Sequence, residues 1–200
     1  MPIILPEQQT FEKAPSGSHI ATCYKVIDLG SQINDFGKGE KKVQHQVRIT
    51  WKLPHAAMAD GRPFSIGKSY TLSSNEKSNL VNDINAWRGK PFTPAEFGAF
   101  DIEKLISHSC FLQVVHATSK AGKLYAKVNA IMALPAGQKA VPLANKPTVF
   151  GLANFDRTVF EGLPEYWRNT IAASPEFKEL MGHDDNQNEP LPENGEEAPF

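Results

Sequence analysis

The clearest pattern in the chain is a strict alternation over residues 43–53. Val43, His45, Val47, Ile49, Trp51 and Leu53 fall on one side of an extended segment, and Gln44, Gln46, Arg48, Thr50 and Lys52 on the other. A period of two sustained over this length is the mark of a strand with one face buried. The pattern predicts four more strands around it. Residues 18–29 are dense in β-branched and apolar side chains and end at Gly30, and residues 64–73 follow the turn Asp60-Gly61-Arg62-Pro63. Residues 109–117 and 124–134 flank the short basic loop Ser119-Lys120-Ala121-Gly122-Lys123, which reads as a hairpin connection.

Between the third and fourth strands the period becomes helical. Leu80, Val81, Ile84 and Trp87 share one face of a helix predicted over 76–88, with Ser73 and Glu76 as a capping box and Gly89 and Pro91 as its stop. Thr93-Pro94-Ala95-Glu96 repeats the start signal, and Asp101 is placed to cap a turn running to Ile106. Past Leu134, residues 135–147 are rich in Pro, Ala, Gly and Lys and read as a linker. Two short helices follow at 164–173 and 174–180, with Leu163, Tyr166, Trp167, Ile171 and Phe177 on their apolar side. So few apolar residues do not make a core of their own, so these helices are expected to pack on the strands. Residues 1–17 read as an irregular arm, and disorder is expected from Gly182 onward.

The order strand, strand, strand, helix, strand, strand resembles the OB-fold, a Greek-key barrel that binds oligonucleotides across its second and third strands and neighbouring loops. The expected fold is therefore mainly β: a five-stranded OB-type antiparallel barrel over residues 18–134, with a helical insert between strands 3 and 4 and short C-terminal helices. SH3-like barrels and irregular antiparallel sheets give the same order of elements.

Charge sharpens this picture once it is divided along the chain. The net charge is −1, but residues 182–200 hold six acids and no Lys or Arg, leaving 21 bases against 16 acids, or +5, in residues 1–181. A basic body with an acidic tail suggests nucleic acid or a charged partner. The chain ends Glu193-Asn194-Gly195-Glu196-Glu197-Ala198-Pro199-Phe200. This end resembles the tails of single-stranded DNA-binding proteins of bacteria and phages, in which acids precede a terminal Phe; the bacterial form closes in Ile-Pro-Phe, where this chain has Ala198. In such a tail Glu196 and Glu197 would steer approach, while Pro199 and Phe200 would fill a partner's apolar pocket. From Ser18 to Leu134, together with the tail, the chain also resembles phage-encoded single-stranded DNA-binding proteins of OB type, in architecture and element order.

Single strands are bound by cations along the backbone path and aromatic faces for the bases. Candidates for that role are Tyr24 and Lys25 on the first strand, Arg48 and Lys52 on the second, Lys68 and Tyr70 on the third, Phe111 on the fourth, and Tyr125 and Lys127 on the fifth. Lys38, Lys41 and Lys42 in one glycine-punctuated loop, and Lys120 and Lys123 in another, are expected at the rim. Trp51 and Trp87 fall on buried faces and are assigned to the core.

Enzyme motifs do not complete. Gly67-Lys68-Ser69 would end a phosphate loop only with glycine at position 62, which is Arg62; Gly37-x-Gly39 lacks a third glycine; and His19, His45, His55, His108, His116 and His183 are not at metal-ligand spacing. His108-Ser109-Cys110 has no partnering constellation, and Asp184-Asp185 lies in the tail. Cys23 and Cys110 sit in apolar contexts and read as buried, reduced thiols. Met1–Pro6 has no basic flank of a signal peptide and no apolar run reaches membrane-spanning length, so a cytoplasmic protein is expected, in the host cytoplasm if phage-encoded. The expected function is thus non-catalytic. It is a cofactor-free single-stranded DNA-binding protein, with weak sequence preference, that coats strands in replication or recombination, recruits replication or recombination proteins through its tail, and is compatible with a homo-oligomer. The alternative is an OB-like module for protein interaction that binds no nucleic acid.

Overall fold

The computed structural model describes residues 12–35, 41–73 and 75–186. Five strands, β1 (Gly17–Asp35), β2 (Lys41–Ala57), β3 (Pro63–Thr71), β4 (Ser109–Thr118) and β5 (Leu124–Met132), form an antiparallel sheet in the order β3-β2-β1-β4-β5. A sixth, three-residue strand, β6 (Thr148–Phe150), runs parallel to Lys25–Ile27 of β1. The sheet is open: β5 passes close to β3, but no hydrogen-bonded ladder joins them. The closed five-stranded barrel expected from the element order is corrected here to an open six-stranded sheet.

Length and twist come from β1, whose first residues pair with β4 and whose remainder pairs with β2. Two register shifts, between Cys23 and Lys25 and between Asp28 and Gly30, insert an extra residue each. A bulge bends a strand and re-aims its side chains. Before the first bulge Ala21 and Cys23 point into the main core; beyond it Val26 still does, but Ile27 and Leu29 enter a separate cluster on the opposite face.

The main core lies on the inner face. It is built on Val47, Ile49, Trp51 and Leu53 of β2, Phe64, Ile66 and Tyr70 of β3, and Leu112 and Val114 of β4, as the alternation of β2 requires. Helix α1 (Asn79–Arg88) adds Leu80, Ile84 and Trp87, the last with its ring centroid 5.8 Å from that of Trp51. Its cap is Ser78, whose hydroxyl accepts from the Val81 amide, so the helix starts three residues after the expected point; Gly89, at φ 69°, closes it as expected. Thr93 and Glu96 do make the reciprocal bonds of a capping box, yet only turns follow, and Asp101 caps a single 3-10 turn, Ile102–Leu105.

On the outer face β6, α2 (Arg157–Glu161), α3 (Glu165–Ala172) and α4 (Pro175–Asn186) cover the second half of β1. Phe150, Leu152, Leu163 and Ile171 close over Ile27 and Leu29, with Phe155, Phe160 and Phe177 ring to ring beside them. The short β6 and α2 fall between the expected linker and the first expected C-terminal helix and gave no period of their own. Helix α4 continues through residues 182–186, where disorder was expected; residues 187–200, including Glu196, Glu197, Pro199 and Phe200, lie outside the described residues. No helix among the described residues is long and apolar enough to cross a membrane.

Candidate nucleic-acid interface

Between the C-terminal helices and the strap of residues 141–145, part of the outer face of β1, β2 and β3 remains uncovered by either. Cross-strand register organises this face in three rows: Thr22, Lys52 and Ser65; Lys25, Thr50 and Gly67; Ile27, Arg48 and Ser69, of which Thr22 is buried under the strap and Ile27 under the C-terminal elements. Residues directly opposite one another in paired strands share a face, so Lys25, Arg48 and Lys52 stand on one surface. The bulge in β1 adds Tyr24 to them. Its hydroxyl is hydrogen-bonded to Ser65, and the ammonium groups of Lys52 and Lys25 lie 4.7 Å and 5.5 Å from its ring centroid.

Arg48 extends across β3. A Cβ at Gly67 would stand 2.7 Å from an Arg48 Nη, so the guanidinium passes where no side chain exists; it donates to the Ser69 hydroxyl at 3.1 Å and stacks 4.3 Å from the Trp167 ring. Trp167 is in edge contact with Tyr166, which is 70% exposed. Two aromatic residues of α3 therefore border the cationic strip on one side. On the other, the strap is tied to the sheet: the Thr22 hydroxyl donates to the Val141 carbonyl at 2.7 Å, and the Val141 amide donates to the Ser109 hydroxyl at 3.2 Å. That cover accounts for Thr22 being a buried polar residue.

Electrostatically the strip is uncompensated. Burial pulls the pKa of Arg48, Lys25 and Lys52 down, and Lys52 adds repulsion at Lys25, as Arg62 does at Lys52. Burial likewise pushes the Tyr24 phenol up. Among the described residues no carboxylate forms a salt bridge with any of these three cations, whereas Arg62, Lys68, Arg88 and Arg157 have theirs in Asp60, Asp83, Glu96 and Glu161. Partly desolvated like charges held together without a counter-ion favour an anion that can bridge them.

The other candidates lie elsewhere. Tyr70 is buried on the inner face, where its hydroxyl donates to Asp83 of α1 at 2.8 Å; Lys68 bonds the same carboxylate oxygen. Lys68 and Tyr70, two residues apart, do share one face of β3, but it is the face that α1 covers, and the assignment of both to the surface of Arg48 and Lys52 is corrected accordingly. Burial, with Asp83 alongside, raises the Tyr70 phenol far above its ordinary range. Phe111, Tyr125 and Lys127 do face outward, paired in register with Met132, Ala117 and Val115, but on β4 and β5, separated from β2 by β1. Lys120 and Lys123 are exposed in the β4–β5 hairpin loop. Lys41 and Lys42 are exposed where β2 begins, six or seven residues from Arg48 and so about 20 Å along the strand at ~3.3 Å per residue. Lys38 lies outside the described residues.

Of the fourteen candidates, the structure thus brings Tyr24, Lys25, Arg48 and Lys52 together. It adds Tyr166 and Trp167, which the sequence pattern assigned to helix packing; the adjacent pair of amphipathic aromatics before Arg168 was the available signal. Cys23 and Cys110 are free and buried, and burial raises both thiols, Cys23 to about 12. No set of three or more His, Cys, Asp or Glu side chains among the described residues is arranged to hold a metal ion. Comparisons of the chain with protein-family models, with curated proteins and with solved structures return no match.

Proposed function

We propose that the protein binds single-stranded DNA along the outer face of β1, β2 and β3 and coats exposed strands in replication or recombination, with the acidic tail recruiting partner proteins. The observation that carries this reading is the strip of Lys25, Arg48 and Lys52, partly buried together on one face with no carboxylate salt-bridged to them among the described residues, and set between the rings of Tyr24 and Trp167. Backbone phosphates would supply the missing charge and bases the faces to stack on. The sheet order supports it: β1 pairs with both β2 and β4, as in an OB-type barrel, here read as one left unsealed between β3 and β5, and oligonucleotides lie on strands 2 and 3 of that fold.

Fluorescence gives a direct test. Trp51 and Trp87 are buried, while Trp167 borders the strip. Adding oligo(dT) is expected to quench emission in the wild type, and Trp167→Phe to abolish the larger part of that quenching; an unchanged spectrum of the wild type at low salt would remove the reading. A second reading, a sheet that docks a protein, is favoured by one observation: Tyr125, Lys127 and Phe111 form an outward surface of their own on β4 and β5, away from the strip.

A further inference from the structure

Between α1 and the turns of residues 92–102 lies an apolar groove of about 230 Å³. Leu72, Leu80 and Ile84 line one side of it, and the half-buried rings of Phe92, Phe97 and Phe100 the other. At Ser73 and Leu80 the groove runs into a polar hollow that also holds Asn75 and Lys77. We propose that the groove holds the phenyl ring of Phe200, the last residue of the same chain, with its terminal carboxylate toward Ser73 and Lys77.

The walls suit an aromatic ring. A cavity of about 150 Å³ lined by Leu, Ile and Phe is enough to bind benzene, so this groove has room for a phenyl ring and part of the residue before it. The Phe92 ring already stands edge to face with two others, its centroid 5.0 Å from that of Phe100 and 6.1 Å from that of Phe97, an arrangement that a further ring can extend favourably. These rings are positioned without a guest. The Phe92 amide donates to the Asn85 side chain at 3.0 Å, Arg88 lies 4.5 Å from the Phe92 ring and is bonded to Glu96, and Phe92 and Phe100 pack on the main core. A preformed groove costs an incoming ring little ordering. Leu72, 45% exposed, is the apolar surface that the guest would cover.

Chemistry and chain length together single out the occupant. Phe200 carries an aromatic ring and a carboxylate on one residue, which matches an aromatic groove that opens beside a cation. Glu176 of α4 contacts His45, and the His45 carbonyl accepts from the Leu72 amide at 2.7 Å. Asn186 stands ten residues after Glu176 on the same helix, an advance of about 15 Å, which puts it within roughly 30 Å of Leu72. The fourteen residues after Asn186 span up to about 46 Å when extended, so Phe200 reaches the groove. The N-terminal residues start instead from the opposite end of β3, where the Glu12 carboxylate accepts from the Ala59 amide. Tethering raises the local concentration of the ring, so weak docking suffices. The docking does not depend on DNA binding; only its consequence, that a partner must draw Phe200 out of the groove, rests on the recruiting role proposed above.

A nitroxide on Gly195→Cys of the full chain, read by paramagnetic broadening in proton–nitrogen NMR spectra, locates the terminus. Cys23 and Cys110 are buried, so the new thiol takes the label. The amides of Leu72, Gly98 and Phe100 are expected to lose most of their intensity relative to the reduced label. They are expected to regain it when Phe200 is deleted or when Leu72→Glu places a charge in the groove, and the dispersion of the same spectra shows that each variant is folded. Full intensity at these amides, losses that persist without Phe200, or losses centred on Lys25 and Lys52 instead would overturn the proposal. So would equal losses in a mixture of isotope-labelled protein without nitroxide and nitroxide-labelled protein without isotope, which would give the groove to the tail of a second copy. No DNA is present, so each of these outcomes leaves the single-stranded DNA reading standing.

Discussion

Arg48 lies where it does because residue 67 is glycine. Its guanidinium crosses β3 over the bare Cα, gains the Ser69 hydroxyl and reaches the Trp167 ring, a geometry that serves a planar cation better than a lysine ammonium. Tyr24 depends in the same way on a single-residue bulge, which leaves both Tyr24 and Lys25 available beside Lys52. The contribution of these aromatics can be tested in pairs. Tyr24→Ala should weaken oligo(dT) binding by about 1–3 kcal/mol, the usual worth of one base–aromatic stack. Tyr125→Ala, on the far strand, should leave it within about 0.5 kcal/mol, the range of ordinary surface substitutions. Titration of both variants reads the difference directly, and a reversed order would move the interface to β4 and β5.

At the scale of elements, the junction of α4 with β1 holds the C-terminal helices to the sheet. Gly30 has φ 67°, and a Cβ there would stand 2.6 Å from the Ser174 side chain, which itself caps α4 at the Phe177 amide. Gly30→Ala should therefore lose about 2–5 kcal/mol in urea unfolding, from the left-handed backbone and the overpacking together; a loss below about 1 kcal/mol would contradict the close packing.

One turn away, Ser31 donates its amide to Glu176 at 2.9 Å and its hydroxyl to the same carboxylate, while His45 lies between Glu176 and Asp28. Burial acts to raise the Glu176 carboxyl, but the Ser31 bonds and His45 outweigh it and hold the group below its ordinary 4.5. A carboxyl depressed in the folded state adds stability that is fully present above its unfolded value and is lost as the pH falls through the folded one. Stability should thus decline as the pH drops below about 4.5, and Glu176→Gln should flatten that decline. Urea midpoints at pH 6 and pH 3.5 measure it, and parallel losses in both proteins would contradict the latch.

Some of this arrangement was readable in the chain and some was not, for physical reasons. β2 declared itself because one of its faces is apolar at every alternate position except His45 and no bulge breaks its middle. β1 was legible as a strand over 18–29 but its faces were not, because the bulges after Cys23 and Asp28 put apolar residues on the inner face at Cys23 and on the outer face at Ile27 and Leu29. Periodicity puts Lys68 and Tyr70 on a common face but leaves open which layer covers that face, and α1 decides it through Asp83. β6 is three residues long, too short for any period. The strip therefore combines residues legible as outward, Arg48 and Lys52, with residues whose role depends on tertiary placement, Tyr24 and Trp167.

For the whole molecule, charge is distributed so that the +5 of residues 1–181 is followed by an acidic tail on the same chain. A tethered acidic segment would reach the strip at high effective concentration and compete with phosphates for its cations. Deleting residues 187–200, which carry Glu189, Glu193, Glu196 and Glu197, should tighten oligo(dT) binding, most at low salt. Deleting Phe200 alone should spare DNA binding and weaken capture of replication proteins; equal capture by both forms would remove the recruiting role of the terminus.

The central claim is that Lys25, Arg48 and Lys52 meet the phosphates of a single strand, and its most direct measurement is the salt dependence of oligo(dT) affinity in the wild type and in Lys25→Ala/Lys52→Ala. Each phosphate neutralised on a single strand contributes a slope of about −0.7 in log affinity against log salt. The double variant should therefore be shallower than the wild type by about 1.4, twice that slope, with weaker binding at low salt. Identical slopes in the two proteins, or an affinity indifferent to salt, would contradict it.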